Sequence, residues 1–319
     1  MSNLLNVTLT LVIACASIGT LLSLGGCKNM STNSSADIPI IDTHIHLYDT
    51  DRPEGVEWPP KNDKVLFRPV FPKHFNPICK NNGVGGVIIV EASTLNKDNH
   101  WVLDITESNP LYIGLVAFLD IHAEDFEKDF NTLLKNPRFV GIRLRRGTKT
   151  DNIITKTSLR NLKLLASNNK TLDILINNLS LEQVHEIATA APKLKILINH
   201  LGGLTVDGKP LAEVFASNMR KLAALPNVHC KFSGIFQRTG QRPSPKDVAF
   251  YKHIFDEVFN DFGEDRLIYG SNWPVTDRGG KYSDQLGIIT SYLKTKGDSA
   301  LKKVMAGNAA KFYGVDIAK

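Results

Sequence analysis

Charge is missing from the first 26 residues, MSNLLNVTLTLVIACASIGTLLSLGG, which contain no Asp, Glu, Lys, Arg or His. Such a stretch is set aside as a targeting segment before the fold is considered. Cysteine is scarce. The four in the chain make neither a disulfide framework nor a zinc spacing. The net charge of +6 is spread without a basic block, which argues against nucleic acid as a partner. No glycine-rich phosphate turn follows the first strand-like run, as a dinucleotide-binding sheet would require. Internal repeats and low-complexity tracts are absent after the N-terminal region.

The N-terminal segment has its own logic. Its apolar centre, Leu9 to Leu24, has the length of a signal h-region and is short for a membrane span. LGG precedes Cys27, and Lys28 and a polar run follow. This resembles the lipobox of bacterial lipoproteins, in which the cysteine is lipidated and becomes the N-terminus. A cleaved soluble signal and an uncleaved anchor are the alternatives, because no Lys or Arg precedes the apolar run. The expected organisation is a signal peptide over 1–26, a lipidated Cys27 with a polar tether over 27–37, and one domain over 38–319. The expected location is the bacterial cell envelope, anchored through lipid and facing periplasm or exterior.

Beyond the tether, eight β-type runs alternate with helical patterns: 39–47, 85–93, 111–120, 139–146, 171–177, 194–202, 228–235 and 266–274. Helical stretches are expected over 96–109, 124–135, 156–169, 180–190, 210–224 and 245–260, with caps such as Ser180 and Ser244, and the last 40 residues also look helical. Near-continuous Val, Ile and Leu suits strands buried on both faces. Eight such repeats predict a single-domain (β/α)8 TIM barrel. Residues 51–77, rich in proline and aromatics, are too long for an ordinary connection and read as a functional loop over the strand ends.

In a barrel the chemistry gathers at the C-terminal strand ends. Those ends carry His44 and His46, Glu91, Asp120, Arg143 with Arg145 and Arg146, Asn177 and Asn178, His200, Lys231 with Ser233, and Asn272. Alternation along a strand places Asp42, His44 and His46 on one face, a spacing that can bind one divalent metal or simply bury two hydrogen-bonded rings. His200 is a satisfied core histidine, a third ligand or a general base. Arg143 and Arg145 share a face and suit a carboxylate, or pair internally. Lys231 and Ser233 could hold a substrate carbonyl or oxyanion, with an internal ion pair as the competing role for Lys231. Glu91 stands between a supporting and a substrate-hydroxyl role. Trp58, Trp273, Phe71 and Tyr48 are candidates for the pocket wall.

Five segments in order, IDTHIHLYD, INHLGG, KFSGI, YGSNWPV and GNAAKFYG, resemble the amidohydrolase superfamily, covering about residues 38–314. The branch is similar to sugar-acid and dicarboxylate lactonases such as fuconolactonase and pyrone-dicarboxylate lactonase. The resemblance implies a reactive centre of His44, His46, His200 and Asn272, with the three histidines as ligands of one zinc-like divalent ion. Metal-free catalysis also occurs in the branch. Two departures stand out: Asn177 and Asn178 occupy the fifth-strand position where metal-dependent relatives often carry a histidine, and Asn272 replaces the usual aspartate. An amide takes no proton at neutral pH, so the base lies elsewhere, at His200, at Asp277 or on metal-bound water. The implied function is hydrolysis of a lactone or related ester of a sugar acid or small dicarboxylate, with a small acidic substrate held by Arg143, Arg145, Lys231, Ser233, Glu91 and Trp273. A metal-dependent decarboxylase and a non-catalytic acidic-ligand-binding lipoprotein are the alternatives; oligomeric state is left open.

Overall fold

The computed structural model describes residues 39–145, 152–176 and 179–316. The targeting segment with Cys27, and Arg146, Asn177 and Asn178, lie outside the described residues. All eight expected strands form: β1 Ile40–Ile45, β2 Val84–Val90, β3 Tyr112–Ala117, β4 Phe139–Leu144, β5 Thr171–Ile174, β6 Ile196–Ile198, β7 Val228–Ser233 and β8 Leu267–Gly270. Neighbours pair in parallel in sequence order. The ring closes where Ile45 bridges Trp273 and His46 N donates to Trp273 O at 2.9 Å.

Helices α1 Pro72–Asn82, α2 Asn96–Ile105, α3 Phe126–Leu133, α4 Lys156–Ser167, α5 Leu181–Ala190, α6 Glu213–Ala223, α7 Val248–Phe262 and α8 Tyr282–Lys296 alternate with the strands. Local sequence explains several starts. Thr155 and Ser180 cap α4 and α5, each through a reciprocal bond with the residue three positions on, satisfying otherwise orphaned amides. Ser244 does not cap α7: that role falls to Asp247, and Ser244 Oγ donates to Phe236 O instead. The long loop ends earlier than expected, because α1 begins at Pro72.

Two apolar layers result. One lies between strands and helices. The other fills the barrel interior, where Ile41, Ile88, Val116, Val140, Leu197 and Ile268 meet Ala309, Phe312 and Tyr313. These last residues belong to α10 (Asn308–Tyr313), which follows α9 (Asp298–Lys302) and a π-turn at Lys303–Gly307. The terminal helix thus forms the barrel floor, leaving the opposite end open.

The alternation expected along β1 is broken. Its pairing with β2 shifts between Asp42 and Ile45, and a shift of this kind changes which face a side chain takes. Asp42 therefore leaves the face of the two histidines. Its carboxylate accepts from Ser271 N at 2.8 Å, His44 N at 3.1 Å and Tyr282 Oη of α8 at 3.1 Å, clamping the β1–β8 seam.

Candidate active site

The open end holds a cavity of about 470 Å³, walled in part by His46, Glu57, Trp58, Arg143, Arg145 and His200. Gln237, Arg238, Asn272 and Arg278 complete its polar lining. The ring of His44 lies 4.9 Å from His46 and 4.4 Å from His200, centre to centre. The four residues of the expected reactive centre, His44, His46, His200 and Asn272, are thus brought together from strands 1, 6 and 8.

The backbone bends to achieve this. His200 and Asn272 have φ of 53° and 60°, left-handed values that non-glycine residues adopt at a cost. Asn272 is held there because its N–H donates to His44 O at 2.7 Å while its carbonyl accepts from Thr276 N at 3.1 Å. Two glycines make room. A Cβ at Gly270 would stand 2.9 Å from the Cβ of His44, and one at Gly234 would stand 2.8 Å from His200 Nδ1.

All three histidines are buried and neutral. Burial pushes the imidazole of His46 down to about 3, with the Arg143 guanidinium adding to the shift. Burial also depresses His44 and His200, helped for His44 by His200 and Lys231, and for His200 by Arg238 and Lys231. His46 Nδ1 lies 2.9 Å from Val90 O. A carbonyl can only accept, so Nδ1 carries the ring proton and Nε2 keeps a lone pair. That lone pair faces Asn272 Oδ1 at 3.2 Å, while Asn272 Nδ2 donates to Gln237 Oε1 at 2.7 Å. Two acceptors therefore stand side by side on the cavity wall.

Several expected substrate contacts prove internal. Lys231 Nζ, 0% exposed, donates to Asp173 Oδ2 at 2.7 Å, Thr43 O at 3.0 Å and His44 Nδ1 at 3.4 Å. All three ammonium protons are used inside the barrel, so Lys231 does not face the cavity. Ser233 is fully buried and its Oγ sits 2.8 Å from His200 Nδ1; it orients that ring. Glu91 binds Arg143 Nε at 2.5 Å and Arg145 Nη1 at 3.0 Å, so its carboxylate is a partner of the arginines. Trp273 is 1% exposed and stacks on Phe75, because its backbone pairs with β1 at the seam and its ring turns toward α1. Asp120 is exposed and caps its own turn through His122 N. Asp277 bonds Arg68 at 3.0 Å and does not line this cavity. Of the aromatic candidates, Trp58 reaches the wall, its ring 5.2 Å from His46. Tyr48 packs against the other edge of Trp58, and Phe71 packs with Trp101.

Glu57, Gln237, Arg238 and Arg278 were not singled out in the sequence. Glu57 lies in the long loop already marked as functional, but the others follow strand ends without a motif. Glu57 accepts from Thr94 N and Oγ1 at 3.0 and 2.6 Å, a bonding pattern that, with Thr94 Oγ1 foremost, holds its pKa below the usual range.

Among the described residues no three histidine, cysteine or carboxylate side chains are placed to hold a metal ion. The donor chemistry gives the reason. His44 Nδ1 accepts a hydrogen bond from Lys231 at 3.4 Å, which leaves the ring hydrogen on Nε2, a buried atom without a partner among the described residues. His46 and Asn272 supply only neutral donors, and the charges acting on His46 are guanidinium groups. A metal ion needs a lone pair from each ligand, and a neutral imidazole supplies one from its unprotonated ring nitrogen. The ring hydrogen on His44 Nε2 leaves the expected three-histidine set one lone pair short in this arrangement.

The sequence profile of the amidohydrolase family matches residues 41–315. The chain belongs to the amidohydrolase family. It is 28% identical over 284 residues to an L-fucono-1,5-lactonase of Burkholderia ambifaria, spanning 86% of this chain and 96% of that one. An amidohydrolase from Burkholderia multivorans superposes with a TM-score of 0.79 at 21% identity, covering 87% of this chain and 99% of its own, in a crystal with bound HEPES. A second crystal form of the same relative holds zinc. A probable 2-pyrone-4,6-dicarboxylic acid hydrolase from Acinetobacter baumannii, with citric acid bound, superposes at 0.66 with 19% identity over 86% of this chain and 99% of its own. Structural likeness at such identity concerns the fold. Membership of the family makes this amidohydrolase a hydrolytic enzyme.

Proposed function

We propose that this amidohydrolase opens a lactone of a sugar acid or small dicarboxylate. The observation that carries the mechanism is the pair of acceptors, His46 Nε2 and Asn272 Oδ1, 3.2 Å apart on the cavity wall. A water can donate one hydrogen to each, which leaves an oxygen lone pair directed into the cavity. As that oxygen adds to the lactone carbonyl, one proton passes to His46 Nε2. The imidazolium then finds Asn272 Oδ1 positioned to accept its new N–H. Arg143 and Arg145, held by Glu91, supply positive charge toward the developing oxyanion. Collapse of the tetrahedral adduct breaks the ring C–O bond, and His46 returns the proton to the departing ring oxygen. A base with a pKa of about 3 is a weak acceptor, but its conjugate acid is a strong donor to that alkoxide. Asn272 here replaces a carboxylate's hydrogen-bonding role without its basicity. The relatives' names support the substrate class, since the similar curated protein is a lactonase.

The test is acid release from a panel of 1,5-lactones, 1,4-lactones and pyrone esters, measured with and without a chelator. Hydrolysis that survives chelation and is lost in His46→Gln supports the proposal. No hydrolysis of any member, even with zinc supplied, overturns it. We also propose that Cys27 anchors the protein in the cell envelope through lipid; Cys27→Ser should release it from the membrane fraction, and unchanged membrane association would refute the anchor.

A further inference from the structure

Five charged side chains line the cavity: Glu57, Arg143, Arg145, Arg238 and Arg278. Four of them are balanced. Arg143 and Arg145 share Glu91, Arg145 also lies 3.6 Å from Glu57, and Arg278 pairs with Asp63. Arg238 has no carboxylate partner among the described residues. Its Nη1 donates to Gly203 O at 2.9 Å, and among the described residues its buried Nε has no partner and no hydrogen bond engages Nη2. Burial pulls its pKa down, with no opposing anion to restore it.

A guanidinium so placed carries an uncompensated charge into a partly desolvated wall, a costly arrangement unless a ligand completes it. The loop that bears it is braced. Arg238 O accepts from Val206 N at 3.0 Å, and Arg242 Nη1 bonds Thr239 O and Gln241 O at 2.9 and 2.7 Å. Its neighbour Gln237 accepts from Asn272, which ties the cation's position to the water-holding pair.

We infer that Arg238 is a specificity residue that seats a second, free carboxylate of the substrate, so that the preferred lactone is an anion, such as the monolactone of a sugar dicarboxylic acid. This inference rests on the lactonase reading. It also moves the seat of the substrate's free carboxylate to Arg238 from Arg143 and Arg145, which share Glu91 and face the reacting carbonyl.

The experiment compares two lactones identical except at one terminus, hydroxymethyl in one and carboxylate in the other, using the full chain, Arg238→Gln and Arg238→Lys. The wild type should favour the carboxylate lactone in kcat/KM by about 10- to 100-fold, the worth of one hydrogen bond to a charged group. That ratio should fall toward unity in Arg238→Gln and recover in part in Arg238→Lys, with high salt eroding it. A wild-type ratio near one, or a loss in Arg238→Gln equal for both lactones, overturns the inference, the second result marking Arg238 as a brace for Gly203. Should neither lactone be hydrolysed, the lactonase reading fails separately. Calorimetry with a sugar dicarboxylate then decides: binding that vanishes in Arg238→Gln sustains the seat, while absent binding, or binding unchanged by the substitution, refutes it.

Discussion

The barrel floor and the barrel mouth both bury charged and polar groups, but they treat them differently. In the interior, Asp173 accepts from Lys231 at 2.7 Å and from Tyr313 Oη at 2.9 Å, and Lys231 spends its remaining protons on Thr43 and His44. Asp173, Lys231 and Tyr313 all have partners there. At the mouth, His46 Nε2 faces another acceptor, and among the described residues His44 Nε2 has no partner and Arg238 no anion. Both regions were assembled from strand-end or mid-strand polar residues that look alike in the sequence. Completeness of pairing is what separates a structural polar cluster from one that awaits a substrate.

Crossing substitutions between the two regions should break or sustain that contrast. The largest expected effect is at the mouth: His46→Gln should lower kcat/KM on a lactone by about 10²- to 10⁴-fold, the usual contribution of a general base, with the melting temperature little changed. At the floor, Lys231→Met leaves Asp173 buried without its cation and should cost about 3–5 kcal/mol of stability, measured by denaturant unfolding. If His46→Gln unfolds the protein, or Lys231→Met leaves stability intact, the division is wrong. Tyr313→Phe removes one of two partners of Asp173, so a smaller loss of about 1–3 kcal/mol is expected in the same measurement.

The smallest effect is graded and concerns pH. His46 at about 3 and His229 at about 4 have pKa values lowered chiefly by burial, against about 6.5 in an unfolded chain. The unfolded state therefore binds more protons between pH 6.5 and 4. Stability is complete above that window and falls as pH drops through it, by up to about 1.4 kcal/mol per pH unit for each such histidine. His229 lies in the floor against Phe312, so His229→Gln should flatten this slope without altering lactone hydrolysis. Melting temperatures recorded at several pH values between 4.5 and 7.5 check it, and a flat series would contradict the burial of neutral imidazoles.

The eight strands were legible because parallel strands buried on both faces need unbroken apolar runs, and the convergence of His44, His46, His200 and Asn272 followed from the rule that strand ends share one mouth. Other features depend on distances in space that no local pattern encodes. The face of Asp42 was misread because the pairing shift beyond it interrupts simple alternation. Lys231 was open between two roles, and its partner Asp173 lies 58 residues away on another strand. Trp273 looked like a wall residue until its backbone was seen closing the barrel seam. Arg238 sits just beyond the KFSGI segment, in a loop whose composition marks nothing, and only its missing anion distinguishes it from the paired arginines around it.

The bond from Tyr313 to Asp173 also orders events in time. During synthesis the histidines of the first strand leave the ribosome well before the hydroxyl of Tyr313 that closes the polar interior. Until it arrives, Asp173 lacks one partner and the apolar plug of Ala309 and Phe312 is absent from the floor. A nascent chain therefore carries its chemical groups well before it can hold them in register.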